Sequence, residues 1–228
     1  MEKLIPITIF ALLAITAWYI VSGNKRKTPA VKAVSFYGAS ITRGDGLKPR
    51  PVERRTELAK GAFIGVDYSL GGSTVQDATT GDPRLPYSGP FYAWIKQDTS
   101  DIVVIDHSGA NSLHCPDIDA YDMLLTGMIN DAKASGKTVV LSGMTQVAYP
   151  VPGLSDSDST RKLAVLAAFD DRTEAIAIRE GCEFLDVRSV PFRGPVDMMP
   201  DGIHPSQDYS DRVSAYVTAR LVALIEAG

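Results

Sequence analysis

Val31-Lys32-Ala33-Val34-Ser35-Phe36-Tyr37-Gly38-Ala39-Ser40-Ile41-Thr42-Arg43-Gly44 is the stretch from which the rest of the chain is read. Residues 31–36 form a short β-branched and aromatic run, which predicts a strand, and the run ends in a glycine-flanked turn that carries a hydroxyl. Runs of the same kind follow at residues 62–66, 102–106, 138–142 and 183–187. Their apolar positions are continuous and not alternating, as expected of strands covered on both faces. Between them lie longer amphipathic stretches. Ile118 to Ala134 sets Tyr121, Leu124, Leu125, Met128 and Ile129 on one stripe, with Gly136 just past its end. Gly181 closes the next helix, and Ser206 caps a final one that carries Val213, Val217, Leu221, Leu224 and Ile225. Strands alternating with helices predict an α/β fold, with a parallel sheet between two helical layers.

Upstream of this pattern, residues 4–21 run for 18 positions without a charge and are followed by Lys25-Arg26-Lys27. The run is long for the apolar core of a signal peptide and, at about 1.5 Å rise per residue, just long enough to cross a bilayer as a helix. Residues 1–27 are therefore read as a signal-anchor or a cleavable signal peptide, with Val21-Ser22-Gly23 as the small-residue site for cleavage, and residues 28–228 as the folded domain. Lys25-Arg26-Lys27 on the C-terminal flank would hold the domain in the cytoplasm by the positive-inside rule. A leading apolar segment on a single folded domain usually serves export, so the expectation is a membrane-anchored or secreted protein outside the cytoplasm.

The 228 residues carry 23 Lys+Arg against 27 Asp+Glu, a net charge of −4. Residues 1–27 hold four basic residues and one acidic, which leaves 19 basic against 26 acidic, or −7, on the remainder. An acidic domain with no basic cluster larger than a pair such as Arg54-Arg55 lacks the positive face that displaces counterions from phosphates, so nucleic acid is excluded as a partner. Cys115 and Cys182 are too few for a disulfide scaffold or a zinc ribbon and allow one disulfide at most.

In an open parallel sheet the ligand sits beyond the C-terminal strand ends, so the residues just after each predicted strand are the ones to read for chemistry. Ser40 follows the first strand, Gly71-Gly72 the second and Gly109-Ala110-Asn111 the third, while Asp201-Gly202-Ile203-His204-Pro205 precedes the last helix. Together these residues allow acyl transfer. Ser40 needs a base; His204 can take its proton, and Asp201, three residues earlier in a tight turn, can fix the imidazole tautomer. The backbone N–H groups of Ser40 and Gly72 and the Asn111 side-chain amide are the candidate oxyanion donors, each worth about 3 kcal/mol of barrier.

The four segments, in this order, resemble the four sequence blocks of the SGNH hydrolases, also called GDSL esterases/lipases, over residues 34–205. The resemblance implies a flavodoxin-like three-layer α/β/α sandwich on a five-stranded parallel sheet. It implies Ser40 as nucleophile, Gly72 and Asn111 as oxyanion donors, and Asp201 with His204 completing a triad. It further implies a carboxylic ester hydrolase without metal or organic cofactor, acting on small or carbohydrate-linked esters such as O-acetyl groups. Lysophospholipid or thioester hydrolysis, acyl transfer to a sugar hydroxyl, and a silent envelope-associated binding module are the alternatives. Three positions depart from the family pattern: Ala39 where Asp usually precedes the serine, Asp67 where Asn is frequent, and Ser112 where Asp often follows Asn111.

The G-x-S-x-G elbow of α/β-hydrolases is not formed, since Ile41-Thr42 follow Ser40. Asp106, His107, His114, Cys115 and Asp117 can be written as a zinc ligand set, but their spacing lacks a helical His pair and Pro116 breaks the run, so His107 and His114 are read as loop or packing residues. Residues 144–159 and 191–202 are the longest irregular stretches, and the first, with Tyr149, Pro150, Val151 and Leu154, is a candidate pocket wall. Phe91 and Trp94 are read as packing residues.

Overall fold

The computed structural model describes residues 31–228. Strands β1 (Lys32–Gly38), β2 (Phe63–Asp67), β3 (Ile102–Asp106), β4 (Thr138–Ser142) and β5 (Glu183–Leu185) form one sheet in the order β2-β1-β3-β4-β5. Every neighbouring pair is parallel. All the predicted strands are present. β1 runs on to Gly38 because Tyr37 and Gly38 still pair with Ile105 and Asp106. β5 stops at Leu185, short of the expected residue 187, where a 3-10 turn takes over at Val187–Ser189.

Parallel neighbours require crossovers, and helices supply them: α1 (Ser40–Arg43), α2 (Pro51–Leu58), α3 (Val75–Thr80), α4 (Phe91–Trp94), α5 (Ser108–His114), α6 (Ile118–Ala134), α7 (Asp156–Glu180) and α8 (Gln207–Ala227). Strand alternation then sorts the core into two layers. Val103, Ile105, Val139 and Leu141 pack with Tyr121 and Leu125 of α6 and Phe169 of α7. Ile102, Val104 and Val140 pack with Val52 of α2 and with Tyr209, Val213 and Val217 of α8. Both faces are dry, which is why the strands read as unbroken apolar runs. Each such side chain, fully buried, contributes about 1.5–3 kcal/mol.

The caps follow the sequence signals. Asp117 accepts from the N–H groups of Asp119 and Ala120 at the start of α6, Ser206 accepts from Tyr209 N–H at the start of α8, and Gly181 ends α7 with φ +63°. Residues 156–159, expected to belong to a loop, are instead the first turn of α7. Ser155 accepts from Asp158 N–H, and Asp156 and Asp158 lie where the positive end of the helix dipole favours carboxylates. Phe91 is fully buried and Trp94 stacks on Tyr87, as packing residues. Cys115 and Cys182 are free thiols.

From β1 the chain crosses to β2 on one side, and from β3 to β4 on the other. The connections therefore diverge at the C-terminal ends of β1 and β3 and leave a crevice there. Among the described residues no helix is long and apolar enough to cross a membrane. The apolar run at residues 4–21, and with it the signal or anchor reading, lies outside the described residues.

Candidate active site

Ser40 is the first residue of α1, two residues beyond the end of β1. The strand turns directly into the helix because Gly38 has no side chain: a Cβ there would lie 2.3 Å from Thr42 Oγ1 and 2.9 Å from the Asp106 carbonyl oxygen. As the leading N–H of a helix, the amide of Ser40 has no intrahelical acceptor. Ala39 makes no capping bond, so the turn is tied one step further on, where Thr42 Oγ1 donates to Asp106 Oδ2 at 2.6 Å. Asp106 thus supplies, from β3, the carboxylate that the sequence lacks at position 39. Burial pushes its carboxyl up to about 6, against the opposing pull of the Thr42 hydrogen bond and of Arg55. Arg55 is itself buried, lies over the Phe36 ring at 4.9 Å, and is lowered by burial to about 10.

The Gly-rich turn after β2 is pinned to the same strand end. The Gly38 carbonyl accepts from Leu70 N–H at 2.9 Å and from Ser73 Oγ at 3.1 Å. Ser73 N–H donates to the Leu70 carbonyl at 3.0 Å, closing a turn whose third residue, Gly72, has φ +75°. That conformation is why glycine stands there. A Cβ on Gly71 would lie 4.0 Å from Ser40 Cβ, so the turn flanks the serine. His107 holds it from behind, its Nδ1 donating to the Ser73 carbonyl at 3.1 Å. A carbonyl only accepts, so Nδ1 carries the proton. Burial drives this imidazole down to about 4, which keeps it neutral. The departures at Asp67 and Ser112 also find partners: Asp67 Oδ1 accepts from Ser69 N–H at 2.9 Å, and Ser112 Oγ donates to the Gly109 carbonyl at 2.7 Å.

Asp201 and His204 come to this point from the loop before α8. Asp201 Oδ1 accepts from Ile203 N–H at 2.9 Å and His204 N–H at 3.0 Å, and Oδ2 accepts from His204 Nδ1 at 2.6 Å. His204 Nε2 lies 2.8 Å from Ser40 Oγ. Burial alone would raise the Asp201 carboxyl, but the two backbone donors and the imidazole outweigh it and hold the group below its ordinary value. A carboxylate on Nδ1 leaves Nε2 as the acceptor for the serine proton.

A cavity of about 510 Å³ opens over these groups, with Ser40, Gly72, His114, Met144, Lys162 and His204 among its lining. Asn111 does not line it. The residue is fully buried in α5, its Oδ1 accepting from Val75 N–H at 2.9 Å and its Nδ2 donating to Gln76 Oε1 at 2.7 Å. Asn111 thus ties α5 to the start of α3, with one of its two Nδ2 hydrogens bonded to Gln76. The chain enters α5 at Ser108, and helical spacing turns position 111 inward while Gly109 and Ala110 face the cavity. Of the expected wall at residues 144–159, Met144 alone lines the cavity, and Tyr149 is exposed. His114, read as a loop histidine, is in the lining, 3.8 Å by Nε2 from the place a Gly72 Cβ would take. Sequence reasoning missed Asp106 and Lys162; a carboxylate closing an apolar strand was the one readable signal, at Asp106. Among the described residues no group of His, Cys, Asp or Glu is arranged to hold a metal ion.

Comparison with known proteins agrees with this fold. A carbohydrate acetylesterase from Sinorhizobium meliloti superposes with a TM-score of 0.62 at 14% identity, covering 85% of this chain and 99% of its own. A variant of an acetyl xylan esterase from Geobacillus stearothermophilus gives 0.62 at 17%, over 84% and 94% of the two chains. A GDSL-like lipase from Bacteroides thetaiotaomicron gives 0.58 at 18%, over 91% and 97%. No curated protein matches the sequence. Residues 36–210 match the model of the GDSL-like lipase/acylhydrolase family, and the chain belongs to that family of carboxylic ester hydrolases.

Proposed function

We propose that the chain is a serine ester hydrolase that works through a covalent acyl-enzyme on small or carbohydrate-linked esters, with O-acetyl and short acyl groups as its substrates. The observation that carries this reading is the continuous path from Ser40 Oγ through His204 to Asp201, with contacts of 2.8 and 2.6 Å, at the edge of a cavity. His204 Nε2 takes the Ser40 proton as Oγ attacks the ester carbonyl, and the new C–O bond makes a tetrahedral oxyanion. The N–H groups of Ser40 and Gly72 receive that charge. Among the described residues no backbone carbonyl accepts from Gly72 N–H, and one such donor is worth about 3 kcal/mol in acyl transfer. The imidazolium then protonates the leaving alkoxide, the alcohol departs, and water activated by His204 releases the acid and restores Ser40. Asn111 acts at one remove, by holding the start of α3 against α5.

The carbohydrate side of the reading draws support from the two acetylesterases of like fold. The apolar run at residues 4–21 supports a site outside the cytoplasm, membrane-anchored or secreted, and protease accessibility on intact cells tests it. The activity itself is tested by following p-nitrophenyl acetate hydrolysis by the purified protein and by Ser40→Ala. The proposal expects Ser40→Ala to lose activity by about 10⁴-fold or more. Equal rates for the two proteins would end it.

A further inference from the structure

A second cavity, of about 240 Å³, lies beside the first, between the segment after β4 and the flank of α7. Leu163, Leu166 and Val147 give it an apolar side, and the ion pair of Asp170 with Arg188 gives it a charged one, with Asp170 Oδ1 accepting from Met144 N–H at 2.7 Å. One residue lines both cavities: Met144. Its side chain is 5% exposed and lies along the backbone of Gly109, where a Cβ would sit 2.9 Å from its sulfur and 3.3 Å from its Cγ. Met144 therefore forms a partition, with the cavity beside Ser40 on one side and an unfilled, mainly apolar space on the other. Methionine is unbranched and adaptable, so this wall is made of the side chain best able to be shortened without disturbing the backbone behind it.

We infer that Met144 is the specificity-determining residue for acyl length: it stops the acyl group at a few carbons by closing off the second cavity. The inference rests on the ester-hydrolase reading and deepens it. An acetyl group needs only the space at Ser40. A longer chain has to pass the position of Met144, and the space beyond would receive it against Leu163 and Leu166.

The test is a chain-length series of p-nitrophenyl acetate, butyrate and octanoate, read as the octanoate-to-acetate ratio of kcat/KM within each variant, so that changes in overall activity cancel. Wild type should disfavour octanoate. Met144→Ala should raise the ratio by tenfold or more, since each methylene newly buried is worth about a factor of four. Leu166→Trp added to Met144→Ala fills the second cavity and should return the ratio to the wild-type value. If Met144→Ala does not fold, Met144→Val carries the same test with a smaller rise. A ratio that moves less than twofold in the folded variant, or a wild type that already prefers octanoate, overturns the inference while leaving Ser40-dependent acetate hydrolysis intact. Loss of that Ser40 dependence in wild type would overturn both readings together.

Discussion

Ser40 stands at the end of a central strand, and the bonds that fix its turn run into the sheet: Thr42 to Asp106, and the Gly38 carbonyl to Leu70 and Ser73. His204 stands on a loop, and the bonds that fix it are mostly the loop's own. Asp201 takes three of them, Met199 N–H donates to the His204 carbonyl at 2.7 Å, and Ala148 N–H donates to the Gly202 carbonyl at 2.8 Å. What ties this loop to the body is Asp197, fully buried, which accepts from Arg193 N–H at 2.6 Å and from Arg212 Nη2 at 2.6 Å. The serine half is thus held by steric fit and burial, and the histidine half by charge. Burial would raise the Asp197 carboxyl, but the two arginines bring it down to about 2. The lesson is that the halves fail differently: one by clash, the other by loss of a charge.

The largest separation of the two halves should come from Asp201→Asn. Its Oδ1 can still accept from Ile203 and His204 N–H, so the loop keeps its shape, but the amide nitrogen that replaces Oδ2 only donates, cannot accept from Nδ1–H and favours the wrong tautomer. The expectation is a fall of about 10⁴ in kcat with the melting temperature almost unmoved. A fall under tenfold would remove Asp201 from the triad. Gly38→Ala attacks the serine half. A Cβ 2.3 Å from Thr42 Oγ1 and 2.9 Å from the Asp106 backbone cannot be relieved by one side chain moving, so denaturant unfolding should register a loss of about 3 kcal/mol or more.

Asp197→Ala attacks the other half. Two buried-end guanidinium contacts are lost, and a cost of about 3 kcal/mol is expected, with activity falling further than stability alone explains because the His204 loop loses its anchor. Unchanged kcat/KM in the folded fraction would detach Asp197 from the site. The smallest effect is a pH dependence at Asp106. Its folded value of about 6 lies above the ordinary carboxylate value of about 4, so the folded state holds the proton longer than the unfolded one and stability falls as pH rises between the two. Asp106→Asn removes that loss. Its unfolding free energy relative to wild type should grow by on the order of 2–3 kcal/mol from pH 4 to pH 7 and stay level above. Asp170 is raised in the same sense, chiefly by burial and in part by the Asp106 charge, so its own loss also shrinks in the variant and adds to the same trend.

The serine half was legible in the sequence almost residue by residue. An apolar run, a glycine and a hydroxyl name a strand, a tight turn and an exposed side chain, and the parallel order brings the other strand ends to the same place. The Asp201–His204 contact was legible as well, because three residues in a turn suffice to make it. That His204 reaches Ser40, 164 residues away, follows from topology and not from any spacing. The burial of Asn111 was not legible because it depended on whether the chain after β3 became loop or helix, and Ser108–His114 is helical. That Met144 alone of residues 144–159 lines the cavity, and that Lys162 does, was not legible, since a cavity wall is set by how α7 lies on β4, which no local pattern encodes. Asp67, Ala39 and Ser112, departures in the sequence, each sit beside a local bond that compensates for them.

The central claim is that Ser40 is the nucleophile and that His204 activates it. Its most direct measurement is the mass of the intact protein, and of its peptides, after treatment with an organophosphonate ester. The account predicts a single adduct on Ser40, slowed by two orders of magnitude or more in His204→Ala, about the contribution of a positioned general base. A protein that hydrolyses esters yet carries the adduct elsewhere, or labels equally fast without His204, would contradict it.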